Sequence, residues 1–250
     1  MKYIILILLL ATTVNLSAQK NNKKKKQDNT EKAINSDSIY IDLVSKTEDV
    51  NMRLFKLYDL ASKTDTNTVY LTEIAYIYFE TRQFQLCINT VNIILTKDPL
   101  HVKSLEMLAG SYQSMGQREK AIITYQKLIS VSPSPRSHYN LSTLYFETGN
   151  ILGCQEYLSK VLSDTTAIQY NIVINFNNSQ GQAMQQVVNL AAASYNMFAY
   201  LLMQNGKYAE AETFLLGALK INPEFVLAQG NLSALKAKLA EIDLESTPQK

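Results

Sequence analysis

The chain has 250 residues, 46% of them hydrophobic and 18% charged, with a net charge of +2, only 8 Gly and 5 Pro, 2 Cys, 2 His and no Trp. That length and apolar content are enough for a continuous buried core, and the scarcity of Gly and Pro argues against a loop-rich or low-complexity chain. Two histidines and two cysteines with no metal-ligand spacing leave little basis for metal chemistry.

In chain order, Lys2, an apolar run from Tyr3 to Val14, and the small residues Ser17 and Ala18 before Gln19 make residues 1–18 read as a secretory signal peptide. The run is shorter than the ~20 residues a spanning helix needs. Cleavage is therefore expected, with the mature chain periplasmic or otherwise secreted and without a stable membrane span. No cysteine precedes Cys87, which excludes an anchor of the bacterial lipoprotein type. Residues 19–36 include the lysine-rich stretch Asn21–Lys32 and are expected to be a disordered basic linker. Residues 1–32 hold 7 of the 24 Lys and Arg and 2 of the 22 Asp and Glu, leaving 17 basic against 20 acidic side chains beyond them. A slightly acidic remainder is a poor nucleic-acid binder.

Residues 37–67 read as a degenerate pair of N-terminal capping helices, with Val50, Leu54, Leu57 or Tyr58, and Ala61 on one stripe. From residue 68 the chain repeats itself. Segment 102–135 lies over 68–101 at an offset of 34 residues, a third copy begins at Pro135 and a fourth at Ala192. Leu105, Leu108 and Tyr112 recur at helical steps and predict one buried stripe on a first helix. Gly116, Gly149 and Gly206 stand where that helix must stop, because glycine takes the left-handed conformation without a Cβ clash. Small residues at 75, 109, 142 and 199, and again at 87, 121, 154 and 211, would let two helix backbones approach closely. Pro99, Pro133 and Pro223 end the second helix. Four matched two-helix copies make a helical repeat protein.

The third copy has Thr166 in place of its proline, and an insertion, 167–191, begins there, so that the fourth copy starts 57 residues after the third instead of 34. Tyr170, Ile172, Ile174 and Phe176 alternate with Asn171, Val173 and Asn175, which predicts a strand. Asn177–Gln182 is turn chemistry, and Ala183–Leu190 would be the return strand of a β-hairpin. A rival reading stays open, because Met184, Val188, Ala191, Tyr195, Phe198 and Leu202 also fall at helical spacing and the next helix could start near 183. Residues 226–242 predict a C-terminal capping helix, and 243–250 a disordered tail.

The repeat resembles the tetratricopeptide repeat over about 68–166 and 192–225. It departs from that pattern in lacking its tryptophan, where Leu71, Leu105, His138 and Tyr195 stand, and in having Arg82 for the first turn glycine. The resemblance implies an all-α, right-handed superhelical solenoid, here with a β-hairpin insertion, that works as a protein-interaction scaffold without catalysis or cofactor. It also implies that first helices line a concave groove. Thr72, Tyr76 and Phe79 would come from the first copy and Lys103 and Met107 from the second. Arg136, Tyr139, Asn140, Thr143 and Phe146 would follow from the third copy, and Asn196 and Tyr200 from the fourth. The Lys/Asn/Arg constellation that holds a C-terminal carboxylate in chaperone-binding relatives is not reproduced, since Thr72, Tyr76 and Met107 occupy its places.

The expected partner is an extended peptide or protein, another envelope protein by the signal peptide, and not nucleic acid. Glycan or small-ligand binding through the Asn- and Gln-rich insertion is the alternative. His138, in the tryptophan slot, is expected to pack in the core rather than to ligate. Cys87 and Cys154 occupy the same slot two repeats apart and are expected to be buried and unpaired.

Overall fold

Each copy folds as a helix–turn–helix because its apolar stripe, turn residue and small-residue slots agree. The computed structural model describes residues 42, 44, 46, 49–63, 68–177 and 181–246. The signal peptide, the basic linker and most of residues 37–48 lie outside the described residues. The chain divides into two units, one ending at Ile94 and the other starting at Leu95.

In the first unit, α1 (Val50–Ser62) is capped by Asp49, whose carboxylate accepts the N–H groups of Asn51 and Met52 at 2.7 and 3.0 Å. Leu57, not Tyr58, is the buried member of its stripe, and it packs with Val44, Tyr70, Ile74 and Ile77. Tyr58 instead places its hydroxyl 3.0 Å from that of Tyr78. Helix α2 (Thr68–Glu80) and helix α3 (Phe84–Lys97) meet at an edge-to-face pair, Phe79 with Phe84, 5.9 Å between centroids. The turn between them puts Arg82 at φ 59°, the one non-glycine with positive φ among the described residues.

The second unit contains α4 (Val102–Ser114), α5 (Arg118–Val131), α6 (Pro135–Glu147), α7 (Ile151–Ser163), α8 (Leu190–Gln204), α9 (Tyr208–Ile221) and α10 (Val226–Ser246). Gly116, at φ 70°, closes α4 as expected. Its N–H donates to the Gln113 carbonyl, and the next N–H, of Gln117, reaches back to Tyr112 at 2.9 Å. All eight small-residue slots, Ala75, Ala109, Ser142, Ala199, Cys87, Ala121, Cys154 and Ala211, are fully buried. One core, Leu105, Ala109, Ala121, Tyr125, Leu128, Leu141 and Leu144, is followed by a larger one from Cys154 and Leu158 to Leu215, Phe225 and Leu235. Helix α10 runs on to Ser246, so residues 243–246 are helix rather than tail. The helix formers Leu244 and Glu245 carry it forward.

The insertion is a hairpin. After α7 the chain makes a 3₁₀ turn, Thr165–Gln169, capped by Asp164, whose carboxylate accepts from the Thr166 N–H at 2.8 Å. Strand β1 (Asn171–Asn177) then pairs antiparallel with β2 (Ala183–Asn189), Asn171 opposite Asn189 and Ile174 opposite Gln186. The early-helix reading fails at Asn189, whose side chain accepts the Ala191 N–H at 3.0 Å and so caps α8 at Leu190. Ile172, Ile174 and the buried Val188 face the larger core, while Val173 and Val187 point outward and are more than half exposed. A two-stranded hairpin is marginal alone. Strand β2 is tied down by Gln186, which donates to the Glu224 carbonyl and accepts from the Val226 N–H at 3.1 Å, and by the Asn189 N–H, which donates to Asn222 at 3.2 Å.

Candidate functional site

Helix α6 begins at Pro135 under a capping box in which the Ser134 hydroxyl accepts from the Ser137 N–H and the Ser137 hydroxyl from the Ser134 N–H, both at 3.1 Å. From that fixed start, Arg136, Tyr139, Asn140, Thr143 and Phe146 recur every three or four residues and share one face. On α8, Ala193, Asn196, Met197 and Tyr200 do the same. These two faces, with Ile172–Asn175 of β1, Gln113 of α4, and Leu227 and Asn231 of α10, line a groove of about 820 Å³ in the second unit. That volume is within the ~300–1,000 Å³ of ligand-sized clefts.

The walls are apolar and the fixed polar groups are mostly neutral. Phe146 and Tyr200 meet edge to face at 5.9 Å. Tyr125 donates to Gln113 at 3.1 Å and accepts from Asn140 at 3.0 Å, which holds both amides at the groove. Asn231 donates to Asn196 at 2.8 Å and joins α10 to α8. Burial pushes the phenols of Tyr125 and Tyr139 up to about 12, so both stay neutral at physiological pH. Among the described residues only two charged side chains line the groove. Glu147 is paired with Arg118 at 2.8 Å. Arg136 donates to the Asn171 carbonyl at 3.2 Å and lies over the Tyr170 ring at 5.8 Å, with no carboxylate partner among the described residues.

Of the residues expected to bind a partner, seven come together here: Arg136, Tyr139, Asn140, Thr143, Phe146, Asn196 and Tyr200. Lys103 is exposed on α4 outside the groove lining, and Met107 is buried in the helix packing. In the first unit Tyr76 is half exposed, Phe79 packs on Phe84, and Thr72 is buried with its hydroxyl on the Thr68 carbonyl at 2.8 Å. Thr72 and Met107 thus offer packing rather than surface, because both lie on the sides of their helices turned into the protein. Sequence reasoning did not find Met197, Asn231 or the β1 wall. Asn231 gave no signal, whereas the alternation of β1 did show that Val173 and Asn175 would turn away from the core.

His138 is partly buried against Tyr157, 5.8 Å between centroids, and burial, then Lys160, lower its pKa despite an opposing effect of Asp164. His101 caps α4, its Nδ1 accepting from the Ser104 N–H at 3.4 Å, a role the sequence did not suggest. Cys87 and Cys154 are buried thiols outside any disulfide. Among the described residues no group of three or more His, Cys, Asp or Glu could hold a metal ion, and no helix is long and apolar enough to cross a membrane.

A family model described as tetratricopeptide repeat matches residues 102–135 and 192–225. Those two segments are tetratricopeptide repeats. A curated relative, the TPR repeat-containing protein MJ1428 of Methanocaldococcus jannaschii, is 23% identical over 242 residues, 85% of this chain and 42% of its own length. The chain therefore spans less than half of that relative. Among solved structures, MamA from Desulfovibrio magneticus RS-1 aligns at TM-score 0.59 and 10% identity over 75% of this chain and 96% of its own. A tetratricopeptide repeat protein from Parabacteroides merdae aligns at 0.57 and 18% over 88% and 80%. YrrB, described as a TPR protein with an unusual peptide-binding site, aligns at 0.57 and 11% over 74% and 84%. At these identities the likeness is one of fold, an all-α tetratricopeptide-repeat solenoid, here carrying a β-hairpin.

Proposed function

We propose that this chain is a non-catalytic interaction module that binds an extended segment of another protein in the groove between α6, α8 and β1. The observation that carries this reading is the lining itself. An aromatic pair, Phe146 and Tyr200, stands among neutral amides from Gln113, Asn140, Asn196 and Asn231, a combination that can hold apolar side chains and main-chain amides together. The protein-binding use of tetratricopeptide repeats supports the same reading. The signal-peptide pattern at residues 1–18 supports a periplasmic or secreted setting, and with it an envelope partner.

The test is selection of displayed random peptides on the mature protein, repeated on the Phe146→Ala/Tyr200→Ala variant. Peptides that bind the parent and lose at least about tenfold in affinity on the variant would support the groove. Peptides indifferent to the double change would refute it. A glycan array tests the alternative, in which the hollow at the hairpin tip lined by Asn175, Asn177 and Gln185 takes a sugar.

A further inference from the structure

Resting on that reading, we infer that the bound segment adds as a third strand to the free edge of β1 and carries an Asp or Glu side chain beside Arg136. The ladder fixes which backbone groups are available. The Leu190 N–H donates to the Tyr170 carbonyl at 2.9 Å, so the flanking pair Asn171 and Asn189 is a non-hydrogen-bonded one. Alternation then turns the N–H and C=O of Ile172, Ile174 and Phe176 toward β2, and those of Asn171, Val173 and Asn175 away from it. The contact from Arg136 to the Asn171 carbonyl agrees with that assignment. Val173 and Asn175 line the groove, and their outward backbone groups have no partner among the described residues.

The two edges of the hairpin differ. Strand β2 is held at its far end, where the outward Asn189 N–H donates to Asn222, and by its Gln186 side chain on Glu224 and Val226, and it lines none of the groove, whereas β1 borders open groove volume. A segment pairing with Val173 and Asn175 would receive hydrogen bonds whatever its sequence. Its residues opposite Ile172 and Ile174 would share their face of the sheet and turn toward the helices, so the fitted pattern is apolar–x–apolar. Pairing stops at Asn171, whose carbonyl Arg136 already holds. There the guanidinium, uncompensated by any carboxylate among the described residues, selects an acidic side chain by charge.

The probe is a short peptide of alternating valine and threonine with one glutamate, acetylated and amidated so that the glutamate is its only charge, made with the glutamate near either end. Fluorescence anisotropy is expected to show one of the two binding the mature protein. N-methylation of its central amide, which needs no protein variant, should weaken binding about tenfold. Val173→Pro should do the same, because that N–H points away from β2 and the existing ladder survives its loss. Glu→Gln in the peptide and Arg136→Gln in the protein should each weaken binding several-fold and not add when combined.

Failure of both peptides to bind at millimolar concentration would overturn the proposal. Binding that ignores N-methylation and Val173→Pro but is lost in the Phe146→Ala/Tyr200→Ala variant would also overturn it, while leaving the groove reading intact. Indifference to all of these changes would sink both. Concentration-dependent self-association that Val173→Pro abolishes would identify a second copy as the occupant and overturn the choice of partner.

Discussion

Gly116 and Arg82 occupy the same place in two successive repeats and take the same left-handed conformation, φ 70° and 59°, so exchanging their residue types perturbs one physical variable in opposite directions. In Gly116→Ala the new Cβ meets nothing within 4 Å, so the entire effect is on the backbone. Holding an L-residue in that region costs about 1–2 kcal/mol, offset by about 0.4–1 kcal/mol from the smaller entropy of the unfolded chain. The expected result is a net loss of about 0.8 kcal/mol at the middle of those ranges and at most about 1.6 kcal/mol, or roughly 2–4 °C in Tm for each 1 kcal/mol at this chain size. Arg82→Gly should gain a similar amount, since the Arg82 side chain is exposed and makes no side-chain hydrogen bond among the described residues that would be lost. Urea unfolding followed by circular dichroism, with amide exchange on α2 and α4 to assign each change to its repeat, measures both. A neutral Gly116→Ala together with a destabilising Arg82→Gly would refute the account, because the helix stop would then be set by side-chain contacts instead of backbone conformation.

Ala211→Leu, at a fully buried slot of α9, should overpack its contact with α8 and cost about 1–3 kcal/mol in the same unfolding assay, whereas Thr213→Leu on the exposed side should be near neutral. The second unit should lose stability between about pH 10 and 12. Tyr125 and Tyr139 keep their protons up to about 12 when folded but titrate near 10 when unfolded, so each contribution is complete below pH 10 and falls as the unfolded chain ionises. Tyr139→Phe should flatten that alkaline slope in a pH series of thermal melts. Arg118→Ala should change stability by less than about 1 kcal/mol, because its bridge to Glu147 is about half exposed on both sides, and a larger loss in a double-mutant cycle would contradict this.

Local rules set most of the fold, and local rules can be read from the chain. The turn glycines, the eight buried slots and the alternation of β1 each follow from one residue's sterics or one period, and each stands where spacing put it. Helix α8 shows the limit. Its apolar spacing extends back through Met184, and only the cap at Asn189 and the pairing of Gln186 with the α9–α10 corner decide that residues 183–189 are strand. The cap is local, but the Gln186 contacts join residues more than thirty positions apart. The candidate site divides in the same way. The faces of α6 and α8 follow from helical periodicity, but the wall supplied by β1 and the amide of Asn231 depends on where the hairpin and α10 come to rest. Thr72 and Met107 fell on the wrong side for a related reason, since register alone does not say which flank of a helix its neighbours cover.

Each unit also contains a single cysteine, Cys87 in the first and Cys154 in the second, with no solvent exposure at either. The Cys154 thiol is held at about 12 by burial, so it is almost wholly un-ionised and closed to alkylation while its repeat is intact. The molecule therefore comes with two natural labelling reporters. Mass spectrometry of iodoacetamide uptake at graded urea would time the opening of each half separately, with no probe to engineer.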